Sequence, residues 1–183
     1  LLSSEVQKTI RTIGIIRKAT DCPVIIGGPH VSGDWARVLQ YIPADYAIRG
    51  EGDRVLPRFV SMLESGRLAD QLKDLPGLIW RDSDGIKSNP PDRIRKLDEL
   101  PFPAWHLMPP AEHQSLVCKR FPVGNIQAAR GCTNACTYCA EADATFRVRS
   151  VDNIMNEIRL LADEYGVREI HFLDSNFIYK KDF

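Results

Sequence analysis

Three cysteines stand within eight residues, Cys132-Thr133-Asn134-Ala135-Cys136-Thr137-Tyr138-Cys139, spaced CxxxCxxC and entered through Arg130-Gly131. Thiolates are soft ligands that suit iron–sulfur clusters and zinc. Three of them on one tight loop can grip three corners of a four-iron cluster, and no fourth cysteine lies nearby. One iron then keeps an open coordination position. A cluster with four protein ligands carries electrons, whereas one with three can also bind a substrate. Two other readings use the same cysteines: a zinc site completed by Cys118 or His113, and a plain electron-transfer cluster. Short-spaced zinc sites usually come as two CxxC-like pairs, which counts against the first.

The elements around the loop must deliver it to a strand end. Gly124–Ala129 reads as a strand running into the cysteines. Ser150 is a good N-cap for a helix carrying Ile154, Ile158, Leu161 and Tyr165, stopped by Gly166. Glu169-Ile170-His171-Phe172-Leu173 is the next strand, ending at Asp174-Ser175-Asn176-Phe177. Strand, loop, helix and strand make one βαβ unit.

The first part of the chain has the same grammar. Val6, Ile10, Ile13 and Ile16 recur at helical spacing between Glu5 and Lys18. Val24-Ile25-Ile26 is an apolar β-branched run that suits a central parallel strand, and it ends at Gly27-Gly28-Pro29-His30. A second helix is predicted from Ser32 to Asp34 onward, carrying Trp35, Val38 and Leu39. Tyr46-Ala47-Ile48 is the next strand, ending at Arg49-Gly50-Glu51-Gly52. A third helix, capped by Asp53 and tolerating Pro57 in its first turn, closes at Gly66. This alternation predicts a doubly wound α/β sheet. Between the two parts, residues 68–118 read as a connector: a hairpin around Ser83-Asp84-Gly85, then a proline-dense stretch that includes Leu100-Pro101-Phe102-Pro103-Ala104-Trp105. Ligands collect at the C-terminal ends of parallel strands. Periodicity and glycine placement therefore predict two ligand sites, one at Gly27-Gly28 and Gly50-Glu51-Gly52, the other at the cysteines and Asp174-Ser175-Asn176.

Composition sets the limits. The 183 residues are 44% hydrophobic and 26% charged, which is ordinary globular usage. The 24 basic and 24 acidic residues cancel, so there is no electrostatic footprint of a nucleic-acid binder. No apolar run has the length of a membrane span. The first residues carry no basic-then-apolar pattern, which predicts no secretory signal. Five cysteines, three of them clustered, argue for metal ligation in a reducing compartment, with cytoplasm as the default. Cys22, before a buried strand, reads as a core thiol, and His171 as a packed strand residue. His30 is expected to line the first site or to bond at the helix entry.

CxxxCxxC with an aromatic, Tyr138, before its last cysteine resembles the signature of radical S-adenosylmethionine (SAM) enzymes. Phe146–Ser150, the helix through Glu157-Ile158, and Ile170–Phe177 are similar to the stretch downstream of that signature in those enzymes. Val24–His30 with Tyr46–Leu56, and the connector Leu97–Trp105, resemble the branch in which a cobalamin-binding domain precedes the barrel. The resemblance implies the C-terminal half of a Rossmann-like (flavodoxin-like) cobalamin-binding domain over residues 1–67. It implies the opening βαβ of a TIM-type radical SAM barrel, truncated, over residues 119–183. Cys132, Cys136 and Cys139 would hold a [4Fe-4S] cluster whose open iron chelates SAM, and reductive cleavage would yield a 5′-deoxyadenosyl radical. Tyr138, Asp174 and Arg147 (or Arg149) would meet SAM. Relatives often carry an Asp-Asp pair where this chain has Asp174-Ser175, which favours Asp174 over Ser175. Gly27, Gly28, Gly50, Glu51 and Gly52 would meet cobalamin. Implied partners are a small-molecule substrate and an electron donor such as flavodoxin or ferredoxin, and the implied reaction is methyl transfer or oxidative cyclisation. Two alternatives stay open: a vestigial first domain that binds no cobalamin, and a non-catalytic iron–sulfur or zinc module. A partial barrel is expected to expose apolar sheet edges, to be poorly stable and to be inactive by itself.

Overall fold

A computed structural model describes residues 1–112, 117–139 and 145–177. The chain divides into two units, Leu1–Ile94 and Arg95–Phe183, and both are mixed α/β.

The first unit is built on a four-stranded sheet in the order β1 (Ile25–Gly27), β2 (Tyr46–Ile48), β3 (Leu78–Asp82), β4 (Gly85–Ser88). β1 and β2 are parallel, with Ile26 opposite Ala47. β3 runs antiparallel to β2, and β4 closes the hairpin. Side chains alternate faces along each strand, and each face has its own core. Ala47 and Ile79 lie in one buried cluster with Ile13, Val31, Val38, Leu39 and Ile42. Ile48, Leu78 and Trp80 lie in the other with Val55, Phe59, Leu68 and Leu75. Accordingly α1 (Val6–Ala19), α2 (Pro29–Gly33) and α3 (Val38–Tyr41) supply one layer, and α4 (Val55–Glu64) and α5 (Leu68–Gln71) the other. Arg81 reaches across to donate to the carbonyls of Ala44 (2.8 Å) and Leu39, satisfying acceptors around the end of α3.

Several details depart from the sequence reading. The second helix begins at Pro29, directly after Gly28, and is broken into α2 and α3, with Trp35 in the intervening turn. The N-cap of α4 is Arg54, not Asp53. The hairpin belongs to the first unit's sheet, where it covers the edge of β2, and the first unit runs on to Ile94. Cys22 is exposed rather than in the core, its sulfur accepting from Thr20 Oγ1 at 3.0 Å.

In the second unit β5 (Val123–Ile126) and β8 (Glu169–Phe172) are parallel neighbours joined through α6 (Val151–Tyr165). Helix α6 has the expected ends: Ser150 Oγ accepts from the Asn153 N–H, and Gly166 closes it with φ +62°. Ile126, Leu161 and Val167 form the buried centre, packed by Ile158, Ile170, Phe172 and Trp105. The strand expected over 124–129 is in fact two, because the chain bends at Gln127-Ala128. A second short ladder then forms between β6 (Ala129–Arg130) and β7 (Arg147–Val148). His171 is half-buried and paired through Nε2 with Glu169 Oε1 at 2.7 Å.

Candidate functional site

Each unit presents one constellation at the C-terminal ends of its parallel strands. In the first, Ile25, Ile26, Gly27, Gly28, Ile48, Gly50, Gly52 and Leu56 line an open cleft of ≈ 170 Å³. Both strands end in a left-handed turn, with φ +106° at Gly28 and +82° at Gly50. Those values favour glycine, because a Cβ there meets the adjacent carbonyl. The turns are tied to each other: the Gly50 N–H donates to Ser32 Oγ at 2.9 Å. Glu51 turns toward the end of the unit and accepts from the Ile94 N–H at 3.0 Å. The sequence-predicted glycines thus come together on one wall of backbone and aliphatic carbon.

Beside this wall, His30 is held at both ring nitrogens, by Ser3 Oγ (2.9 Å) and Tyr41 Oη (2.8 Å). Tyr41 in turn donates to Asp34 Oδ2 at 2.6 Å. Burial and that carboxylate push the Tyr41 hydroxyl up to about 12. The same bond holds Asp34 below the usual carboxylate range. The network links α2 to α3 and fixes the helix entry after Gly28.

The second constellation is the cysteine loop. Gly131, with φ +80°, turns the chain out of β6 into it. Cys132 is half-buried, Cys136 and Cys139 are exposed, and none of them is in a disulfide. The Cys139 N–H closes a turn on the Cys136 carbonyl at 3.0 Å. Cys132 Sγ accepts from the Asn134 N–H (3.5 Å) and from Asn134 Nδ2 (3.6 Å). Tyr138 is 90% exposed, so its ring is not part of any core. Among the described residues no three His, Cys, Asp or Glu side chains converge as one metal ion would require. Cys118 therefore completes no zinc site among them, and His113 lies outside the described residues. The donor set at the loop is three soft sulfurs free of disulfides, of the kind that suits an iron–sulfur cluster.

The loop's base is heavily braced. Ala128 and Ala129 are buried at the bend, so their backbone groups need partners. Asp174, just beyond β8, accepts from both, through Oδ2 to the Ala128 N–H (3.2 Å) and through Oδ1 to the Ala129 N–H. On the other side the Arg149 N–H donates to the Ala128 carbonyl (2.9 Å), and its Nη1 donates to that of Gln127 (3.1 Å). Arg149 is itself paired with Glu157 Oε2 at 2.5 Å, and the Glu157 side chain is 1% exposed. Trp105 Nε1 donates to the other oxygen of Glu157 (3.3 Å), and Phe102 lies under the Arg149 guanidinium at 5.5 Å. The proline-rich segment thus packs on the βαβ through its aromatics. Arg149, one of two arginines considered for SAM, is committed to this pair, and Arg147 donates to the Thr145 carbonyl (3.1 Å) from β7. Past the bend, Asn176 Nδ2 donates to Thr133 Oγ1 at 3.0 Å. Glu169 lies below its usual range because His171 and the Arg120 and Lys119 N–H groups bond it.

The Glu157 network was missed in the sequence, although a signal was there. Ile154, Glu157, Ile158 and Leu161 fall on one helical stripe, so a carboxylate sat on the apolar face and needed a buried partner.

No family model matches the chain. It is 31% identical over 163 residues to an uncharacterized methyltransferase of Pyrococcus horikoshii, a match covering 86% of this chain and 34% of that protein. It is 29% identical over 188 residues to the cytidylyl-2-hydroxyethylphosphonate methyltransferase of Streptomyces wedmorensis, covering 86% and 35%. It is 30% identical over 148 residues to the anaerobic magnesium-protoporphyrin IX monomethyl ester cyclase of Cereibacter sphaeroides, covering 78% and 24%. The chain therefore spans about a third or less of these curated relatives. Its fold is similar to TsrM, a radical SAM methyltransferase of Kitasatospora setae solved with cobalamin and a [4Fe-4S] cluster. That match has TM-score 0.67 and 23% identity, over 94% of this chain and 34% of that one. It is also similar to OxsB, a cobalamin-dependent SAM radical enzyme solved with aqua-cobalamin and SAM, at TM-score 0.73 and 18% identity, over 95% and 24%. The chain thus has the fold of cobalamin-dependent radical SAM enzymes, and its CxxxCxxC loop and these relatives fit the family that its sequence resembles.

Proposed function

We propose that this chain carries the cofactor-binding core of a cobalamin-dependent radical SAM enzyme. The observation that carries the reading is the cysteine loop: three soft ligands on a loop entered from β6, just past the C-terminal end of β5. In this reading the first unit is the later half of a cobalamin-binding domain, and β5, α6 and β8 open a barrel. Cys132, Cys136 and Cys139 hold a [4Fe-4S] cluster and leave one iron for SAM. When bound, the cluster supplies the electron that splits SAM to a 5′-deoxyadenosyl radical, and cobalamin supplies a methyl carrier or redox partner. The chain's own work is positional. Asn134 steadies the Cys132 sulfur, and hydrogen bonds to cluster sulfurs help set its potential. Tyr138, Arg147 and Asp174 are the residues proposed to meet SAM. The wall of Gly27, Gly28, Gly50 and Gly52, flanked by Glu51, lets a large flat macrocycle approach backbone without a Cβ between. The reaction is methyl transfer or oxidative cyclisation on a small molecule, with an electron supplied by a flavodoxin- or ferredoxin-type donor, in the cytoplasm.

Anaerobic reconstitution of the full-length protein carrying this chain tests the proposal. Bound iron and sulfide with SAM-dependent release of 5′-deoxyadenosine is the expected result, with cobalamin retained on gel filtration. Zinc alone without SAM cleavage overturns it. Cleavage without cobalamin retention reduces the first unit to a scaffold.

A further inference from the structure

We infer that Asp174, Asn176 and Thr133 form a clasp that holds the cysteine loop in place for its cluster, before and independently of SAM. This rests on the reading above that the three cysteines bind a cluster. Three bonds join the turn after β8 to either side of Cys132. Asp174 grips the N–H groups of Ala128 and Ala129, three to four residues before it. Asn176 donates to the hydroxyl of Thr133, one residue after it, at 3.0 Å. Ala128 and Ala129 are buried at 3% and 5% exposure, so water cannot stand in for the carboxylate. The Thr133 side of the clasp is exposed, on a loop tied within itself by the Asn134–Cys132 and Cys139–Cys136 bonds. Parallel pairing continues into this region through the Leu173 N–H and the Ile126 carbonyl at 2.9 Å, so the two strand ends are in register where the clasp closes. Cys132 is consequently the anchored ligand of the three, while Cys136 and Cys139 extend from it. Residues behind metal ligands typically change metal affinity or activity 10–100-fold when removed. Asn176 and Thr133 act through the loop and are positioning residues; Asp174 does the same in addition to the SAM contact proposed for it.

The test is iron retention by the reconstituted full-length protein, challenged anaerobically with a chelator and without SAM. Asp174→Asn and Thr133→Val should each lose iron about 10–100-fold faster than wild type, whereas Thr133→Ser, which keeps the hydroxyl, should retain it. Far-UV circular dichroism separates loss of iron from loss of fold, and Thr133→Val, at an exposed position, keeps the test valid if Asp174→Asn fails to fold. Wild-type iron retention in both Asp174→Asn and Thr133→Val, with only SAM affinity reduced in Asp174→Asn, overturns the clasp and leaves Asp174 as a SAM contact. Equal loss in Thr133→Ser and Thr133→Val also overturns it. A wild type that takes up no iron instead sinks the cluster reading beneath it.

Discussion

At the strand ends of the first unit the wall of the site is backbone. Gly27, Gly28, Gly50 and Gly52 line a cleft whose shape is set by two left-handed turns and the Gly50–Ser32 bond. At the strand ends of the second unit the working groups are side chains. Three cysteines project from a loop with Cys136, Cys139 and Tyr138 in solvent, and order comes from a polar brace beneath them. The first site is formed by folding alone, because its walls belong to a sheet with a core on each face. The second is a set of thiols on a braced stalk, which the proposed cluster would complete. One site should therefore fail by steric filling, the other by loss of a ligand or of the brace.

The largest effect is expected at the ligands. Cys132→Ala, Cys136→Ala or Cys139→Ala should abolish cluster binding and SAM cleavage while leaving the fold of both units intact, read by iron content and circular dichroism. Unfolding of the second unit on loss of one thiol would break the contrast. Next comes the brace. Glu157→Ala leaves Arg149 buried without its partner and should cost about 3–5 kcal/mol in chemical denaturation. The pair Arg149→Met with Glu157→Leu should recover most of that loss, since well-packed apolar replacements of a buried ion pair are often neutral or stabilising.

On the cleft side, Gly50→Ala places a Cβ 3.1 Å from the Pro91 Cβ at a positive φ. It should cost about 1–2 kcal/mol and weaken cobalamin retention, with iron content unchanged. A matching fall in iron would show that the two sites are not separable. The smallest effect concerns Tyr41. Its pKa is raised from 10.0 to about 12, so its contribution is complete below pH 10 and is lost as pH rises toward 12. Tyr41→Phe should remove this alkaline loss of stability, seen as a flatter melting temperature across that window, and should not touch the cysteine loop.

Much of this arrangement was legible in the residues. Ser150 and Gly166 bounded α6, Tyr46–Ile48 was a strand, and the glycine turns pointed to the cleft, because caps, β-branched runs and turn glycines act locally. What was not legible depended on distant partners. The hairpin around Ser83-Asp84 looked like part of a connector, since pairing of Ile79 with Ala47 is set by a sheet and not by the hairpin. The break of the second helix between Gly33 and Val38 followed the packing of Val31, Val38 and Leu39 over the sheet. At the cysteine loop the ligand types and spacing could be read directly. Its supports could not: Asp174 meets residues about 45 positions earlier, and Asn176 meets Thr133 43 positions earlier.

The most direct test of the central claim is electron paramagnetic resonance of the reduced, reconstituted full-length protein, with and without SAM. If three cysteines leave one iron open, a [4Fe-4S] signal should form and change when SAM is added. A signal that SAM leaves unaltered, or one that survives in Cys132→Ala, would contradict the account.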